Sequence, residues 1–324
     1  MPDTDSGRRL LNANRPDILT RLSQVSARIG ADDRTLDAAL LGTARLGLRH
    51  GSFGHDFHAY HNETHVLELG ERRLARLLEP AAGPALPAAD LAALLMFAAC
   101  HDLRQRETID VPGPVGGNEA ASIAETFRLL EACGFDRSAD RDQFVALELM
   151  IAGSTFDARP VASADPMTDD LPDLAGGSLA RGLALWLDSA CTGWRNDPGA
   201  RRGERLARLA ADLDTANVGE QFVQLCETAL RLCREREMRA DRLLDSPKSA
   251  PPCLGFLGRG QEYYFYQLHR FSSREGERVF GPQKLVNGPL VTKTTAALLA
   301  RFAGEPPATG AAVLAAFSEL TGAT

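Results

Sequence analysis

The chain has 324 residues, 44% hydrophobic and 24% charged, which is enough apolar content for a full buried core and rules out a chain disordered throughout. Lys and Arg total 36 against 43 Asp and Glu, and the net charge of −7 repels phosphate backbones, so a nucleic-acid polymer is not an expected partner. The best apolar run, Leu91–Cys100, is far short of the about 20 residues of a membrane span, and the acidic N-terminus lacks signal-peptide order, so no membrane partner is expected.

In chain order the pattern is all-α. Asn14 and Pro16 open a helix that stops at Gly30, a cap-then-Pro start with a glycine end. Further helices are expected at 63–79, 88–103, 119–132, 178–192, 200–213, 258–272 and 290–303, and one from Ser138 to Gly153. Phe222, Leu225, Cys226, Ala229, Leu230 and Cys233 recur with helical spacing and predict one buried face. Arg104–Gly117 and Asp157–Gly177 read as loops, Ser246–Cys253 as a stiff connector, and Asn287-Gly288-Pro289 as a turn before a helix. Six scattered cysteines form no C-x-x-C pair, which predicts reduced thiols in a cytoplasmic protein.

The chemistry concentrates in seven histidines, at 50, 55, 58, 61, 65, 101 and 269. His61 and His65 stand four apart, so on a helix both rings could reach one site. His101-Asp102 ends the apolar run, and burying an adjacent imidazole and carboxylate is costly unless a metal or partner satisfies them. Asp212, in Leu209-Ala210-Ala211-Asp212-Leu213, puts a carboxylate into a similar apolar setting. Together His65, His101, Asp102 and Asp212 offer two nitrogen and two oxygen groups, a mixed set that suits Zn²⁺, Mn²⁺ or Fe²⁺, with Mg²⁺ at an oxygen-rich neighbour. His50, His55, His58 and His269 are expected at the surface or supporting the site, and Arg201, Arg202, Arg205 and Arg208 on a solvated helix face.

The order H…HD…D on a helical chain resembles the HD-domain metal-dependent phosphohydrolase superfamily. The closer resemblance is to the class I 3′,5′-cyclic nucleotide phosphodiesterases. Their Y-H-N-x-x-H is matched by Tyr60-His61-Asn62-Glu63-Thr64-His65, their Gly-x-x-Asn loop by the stretch ending Gly116-Gly117-Asn118, and their A-D-L by Ala211-Asp212-Leu213. Gln261, 49 residues after Asp212, with Tyr264 three further on, matches their base-gripping glutamine and its aromatic neighbour. Two features depart: Gln105 stands where they carry a histidine, and no histidine occurs between 102 and 269. Asn118-Glu119-Ala120-Ala121-Ser122 and Asp212-Leu213-Asp214 also match the N-E-x-x-S and D-L-D of a more distant group of bacterial HD phosphohydrolases.

The resemblance implies an HD-type, phosphodiesterase-like helical bundle over 41–282, with an N-terminal helical extension over 1–40 and a C-terminal helical tail over 283–324. It implies hydrolysis of a small phosphoester, a diester of a (cyclic) nucleotide, with two divalent metals. His65, His101, Asp102 and Asp212 would be ligands, Asp102 would bridge, His61 would be the general acid, and Asn118, Gln261 and Tyr264 would contact substrate. The alternatives are an HD nucleotide phosphohydrolase acting on mono- or triphosphates, and a catalytically silent nucleotide-binding module.

Overall fold

A computed structural model describes residues 4–79, 83–107, 113–157 and 176–324. Most of the expected 157–177 loop and part of the 104–117 loop lie outside the described residues. The all-α expectation holds: the described residues are helical almost throughout, and the sheet among them is a two-stranded antiparallel pair, β1 (Phe156–Asp157) with β2 (Gly177–Ser178). Among the described residues, no helix is long and apolar enough to cross a membrane.

The chain divides into two compact units. The first comprises Met1–Phe57, His61–Asp214 and Phe271–Gly276; the second comprises His58–Tyr60, Thr215–Arg270 and Glu277–Thr324. The boundaries expected at 40 and 282 fall inside helices, Asp33–Arg49 and Arg274–Arg301.

In the first unit, α1 (Thr4–Asn14) and α2 (Pro16–Ile29) precede α3 (Asp33–Arg49). α2 starts on proline and ends at Gly30 with φ 68°, the left-handed cap that glycine adopts without strain. α4 (Glu63–Leu67) runs through a π-helical turn, Glu68–Arg73, into α5 (Leu74–Arg76). α6 (Ala88–Cys100) is buried on nearly every face, as its unbroken apolar sequence requires. It packs against α3, where a Cβ on Gly42 would lie 2.8 Å from the Ala99 carbonyl oxygen, so only glycine admits this approach. α7 (Gly117–Ala132), α8 (Arg141–Ser154), α9 (Leu183–Ala190) and α10 (Pro198–Asp214) follow, with α10 packed along α8. The arginines of α10 are not all solvated: Arg202 Nε donates to buried Asp90 at 2.7 Å, and Arg205 binds its other oxygen.

In the second unit, α11 (Phe222–Arg239) buries the expected stripe of Leu225, Cys226, Ala229, Leu230 and Cys233. Cys253, Leu257, Leu298, Val313 and Phe317 close this core from α12 (Ala250–Gly255), the π turn Phe256–Gly260, α14 (Arg274–Arg301) and α15 (Gly310–Thr321). α13 (Gln261–Tyr263) is a short turn between two π-helical segments. The Ser246–Cys253 connector is itself helical, because prolines at a first turn remove only amides that have no helical partner. α14 likewise runs straight through the expected turn at 287–289 and contains Pro282 and Pro289. Buried Asn287 holds it there, its Nδ2 donating to the Val218 and Glu220 carbonyls at 2.8 Å each. None of the six cysteines is in a disulfide, and of the six only Cys191 is exposed.

Candidate metal centre

The Y-H-N-x-x-H segment builds a helix start. Asn62 is the N-cap of α4, its side chain accepting from the Thr64 amide at 2.8 Å, which sets His65 on the first turn. His65 is fully buried, and Glu68, at the head of the π-helical turn, approaches its Nδ1 at 3.5 Å. His101 caps the C-terminus of α6. Its Nδ1–H donates back to the Phe97 carbonyl at 3.2 Å, and its ring stacks on Phe97 at 4.6 Å. Asp102 follows it in the chain. Asp214 is the last residue of α10, and the buried Arg73 donates from Nη1 to the Leu213 and Asp214 carbonyls at 2.9 and 2.6 Å, holding that helix end.

Four atoms converge. His65 Nε2 lies 3.1 Å from Asp214 Oδ1 and 3.8 Å from Asp102 Oδ2. His101 Nε2 lies 3.0 Å from Asp102 Oδ2 and 3.5 Å from Asp214 Oδ1. Ligands about 2.1 Å from one ion sit about 3.0–3.4 Å apart in octahedral or tetrahedral arrangements, so the spacing suits a shared cation. Among the described residues, buried His101 Nε2 and Asp102 Oδ2 have no hydrogen-bond partner despite their proximity. With Nδ1–H given to Phe97, Nε2 turns its lone pair toward two carboxylate oxygens, an arrangement that calls for a proton or a metal ion between them.

The charges behave accordingly. Burial alone would lower the His101 pKa, but Asp102 and Asp214 raise it well above its ordinary value. Burial would raise Asp102, yet His101, with His61 and His65 adding to it, holds that carboxyl down at about 2. Asp214 is likewise driven well below the usual range by His101 and His65 against the effect of burial. His65, His101 and Asp214, with Asp102 beside them, form a buried group that can hold a metal ion.

The structure corrects the fourth position. Asp212 is not in this group. It is buried on the other side of α10, where it accepts from the Ser272 amide at 2.6 Å, the Ser273 amide at 2.8 Å and the Ser273 hydroxyl at 2.6 Å. Burial pushes its carboxyl up to about 7 against the pull of these serine donors. Two residues along a helix turn a side chain about 200°, so Asp212 and Asp214 cannot share a site, and the apolar setting of Asp212 marked burial rather than ligation.

Asn118 also differs from expectation. Its side-chain amide is already engaged within the first unit. Its Nδ2 donates to Gln105 Oε1 at 3.1 Å and its Oδ1 accepts from the Glu107 amide at 2.8 Å. Gln105 Nε2 in turn donates to Asp102 Oδ1 at 3.1 Å, and Ser122 Oγ accepts from the Arg104 amide at 3.1 Å. The N-E-x-x-S residues thus pin the segment after His101-Asp102, and Gln105, standing where the phosphodiesterases carry a histidine, orients the aspartate. Burial, with the Asp102 charge adding to it, raises the pKa of the intervening Glu119.

His61 precedes the α4 cap, half-buried, its ring edge-on to His65 with centroids 6.2 Å apart. Gln261 and Tyr264 belong to the second unit. There Gln261 borders an apolar cavity of about 20 Å³ with Leu225, Leu257 and Phe265, room for about one water and not for a nucleobase. The Tyr264 hydroxyl donates to Asn217 Oδ1 at 3.4 Å. Of the remaining histidines only His55 is exposed; His50, His58 and His269 are buried, and His58 pairs with Glu235 at 3.1 Å within the second unit.

Sequence reasoning missed Asp214, Glu68 and Arg73. Asp214 had a signal in the Asp212-Leu213-Asp214 doublet, and Glu68 in its three-residue spacing from His65; Arg73 had none. No protein-family model matches the chain. No curated protein matches it either.

Proposed function

We propose that this chain is a metal-dependent phosphohydrolase whose substrate is a small phosphodiester of nucleotide type. The observation that carries the reading is the convergence of His65 Nε2, His101 Nε2, Asp102 Oδ2 and Asp214 Oδ1, two of them buried without a hydrogen bond among the described residues. A bound divalent ion supplies Lewis acidity and lowers the pKa of a water it holds. Glu68 and the Phe97 carbonyl engage the two rings through their Nδ1 atoms, so Nε2 of each would be the atom that holds an ion. Gln105 occupies Asp102 Oδ1. His65, His101, Asp102 and Asp214 would hold one ion, and a second ion at Asp102 would need Gln105 to turn aside. His61, beside His65, donates a proton to the departing alkoxide, the leaving group that most needs one.

A second reading, hydrolysis of nucleotide mono- or triphosphates, is favoured by one observation. The Asp214 of D-L-D and the Asn118 and Ser122 of N-E-x-x-S, the patterns shared with the bacterial HD phosphohydrolases, are the side chains that build or brace this group. The test is turnover of bis-(p-nitrophenyl) phosphate, p-nitrophenyl phosphate and nucleotide phosphates by chelator-stripped protein resupplied with Mn²⁺, Mg²⁺, Zn²⁺ or Fe²⁺. Metal-dependent cleavage of the diester supports the first reading, and cleavage of monoesters or triphosphates alone supports the second. No turnover with any metal on any of these esters sinks both and leaves a binding module.

A further inference from the structure

The first unit carries a second concave feature, built from different residues. A cavity of about 570 Å³ is lined by Arg45, Arg49, His55, Asp56, Glu125 and Arg128, together with exposed Leu48. That volume is typical of small-molecule sites. The carboxylates around it are already engaged. Glu125 is shared by Arg45 and Arg128, each at 2.7 Å, and Asp56 lies 3.5 Å from Arg106. Neighbouring Arg104 binds Glu107 through Nε at 2.7 Å.

Arg49 is the exception. Among the described residues no carboxylate lies within ion-pair distance of its guanidinium, which donates from Nη1 to the Leu103 carbonyl at 2.8 Å. Burial, with the Arg104 cation adding to it, lowers its pKa. Among the described residues, three arginines against two carboxylates leave the wall with one positive charge in excess, on a chain whose net charge is −7. A guanidinium offers five N–H donors in a planar fork, and the Leu103 carbonyl uses one of them. Arg49 is exposed, so its other donors face solvent and are open to an oxyanion that accepts two parallel hydrogen bonds and would also relieve the repulsion from Arg104.

We propose that this cavity binds a phosphate-bearing small molecule, with Arg49 as its principal anchor and Arg128 as a second contact. The site is independent of the metal centre: it uses none of His65, His101, Asp102 or Asp214, and it stands or falls whether or not the chain is a hydrolase. It meets that region at the hydrogen bond from Arg49 to the carbonyl of Leu103, the residue after Asp102.

The test is calorimetric titration of the full chain, stripped of metal and kept in chelator so that the His-Asp group cannot contribute. Pyrophosphate is the ligand in one arm and adenosine diphosphate in the other. Wild-type protein should bind at least one of them saturably. Pyrophosphate binding as tightly as the nucleotide identifies free polyphosphate chemistry as sufficient; tighter nucleotide binding identifies a nucleotide as the source of the phosphate. Arg49→Met should weaken binding about 10–100-fold, the loss of a charge-assisted bidentate contact, and Arg49→Lys should restore part of it. Arg128→Met, at an exposed position, should also weaken it, while Arg28→Met, beside a different cavity, should not. Each variant is checked for an unchanged far-ultraviolet spectrum. The proposal is overturned if wild-type protein shows no saturable binding of either ligand, or if folded Arg49→Met and Arg128→Met bind as tightly as wild type.

Discussion

Asp212 and Asp214 stand two positions apart at the end of α10 and serve opposite purposes. Asp214 Oδ1 faces His65 Nε2 at 3.1 Å, whereas Asp212 accepts hydrogen bonds from Ser272 and Ser273, 60 and 61 residues further along the chain. The approach at Asp212 is close: a Cβ on Gly276 would fall 2.2 Å from its Oδ2. One carboxylate thus anchors the 271–276 segment of the first unit, and its neighbour faces the histidines.

Asp212→Ala should therefore be a stability variant. It strips two half-buried backbone amides of their acceptor, which should cost about 1–3 kcal/mol. Urea unfolding checks this, and Ser273→Ala, which removes only the hydroxyl bond, should cost about 0.5–1.5 kcal/mol. Equal and negligible losses in both would show that Asp212 anchors nothing.

What the sequence made legible follows from how local each signal is. His65 and His101-Asp102 were readable because their cues lie within a few residues: an Asn cap three positions before His65, and an apolar run ending at His101. The choice between Asp212 and Asp214 was not readable, because the donors that claim Asp212 come from Ser272 and Ser273. The passage of α14 through Pro282 and Pro289 was hidden for the same reason. Local chemistry favours a break there, and Asn287 bonding to the 218–220 carbonyls overrides it. The bonds of Asn118 to Gln105 and Glu107 were not readable either, because they form across a loop.

The Gln105 bridge yields a prediction about metal affinity. Gln105→Ala frees Asp102 Oδ1 and unlinks it from Asn118. Metal affinity should fall about 10–100-fold, as for other residues that orient a ligand, with the fold retained. Competition with a fluorescent chelator measures it. Asn118→Ala should give a smaller loss in the same direction, and affinity unchanged in both variants would remove the bridge from the account.

His61 is tested through the leaving group. His61→Ala should keep its metal and lower kcat by about 10²–10⁴ on an alkyl diester, the usual worth of a general acid. The deficit should shrink on a nitrophenyl ester, whose phenolate departs without a proton. An equal deficit on both esters removes His61 from that role.

A pH effect is expected in the second unit. Burial, with the Lys284 cation adding to it, holds His269 well below its ordinary pKa, and its Nδ1 accepts from Lys284 Nζ at 3.0 Å. The folded state keeps this ring neutral, whereas the unfolded chain protonates it below about pH 6.5. The unfolded state then binds more protons, so the stabilising contribution is complete above that pH and lost as pH falls below it, by about 1.4 kcal/mol per pH unit. His269→Gln can still accept from Lys284 without titrating. The stability gap between wild type and this variant should therefore shift against wild type as pH drops from about 7.5 to about 5.5. A gap independent of pH would show that His269 titrates alike in both states.

The central claim, that His65, His101, Asp102 and Asp214 hold a metal ion, is tested most directly by the metal content of purified protein, measured by elemental mass spectrometry on folded wild type, Asp214→Ala and Asp212→Ala. Wild type should carry about one tightly held divalent ion per chain, Asp214→Ala should lose it, and Asp212→Ala, though less stable, should retain it. Metal kept by folded Asp214→Ala and lost from folded Asp212→Ala, or no metal bound by wild type under any loading condition, would contradict the account.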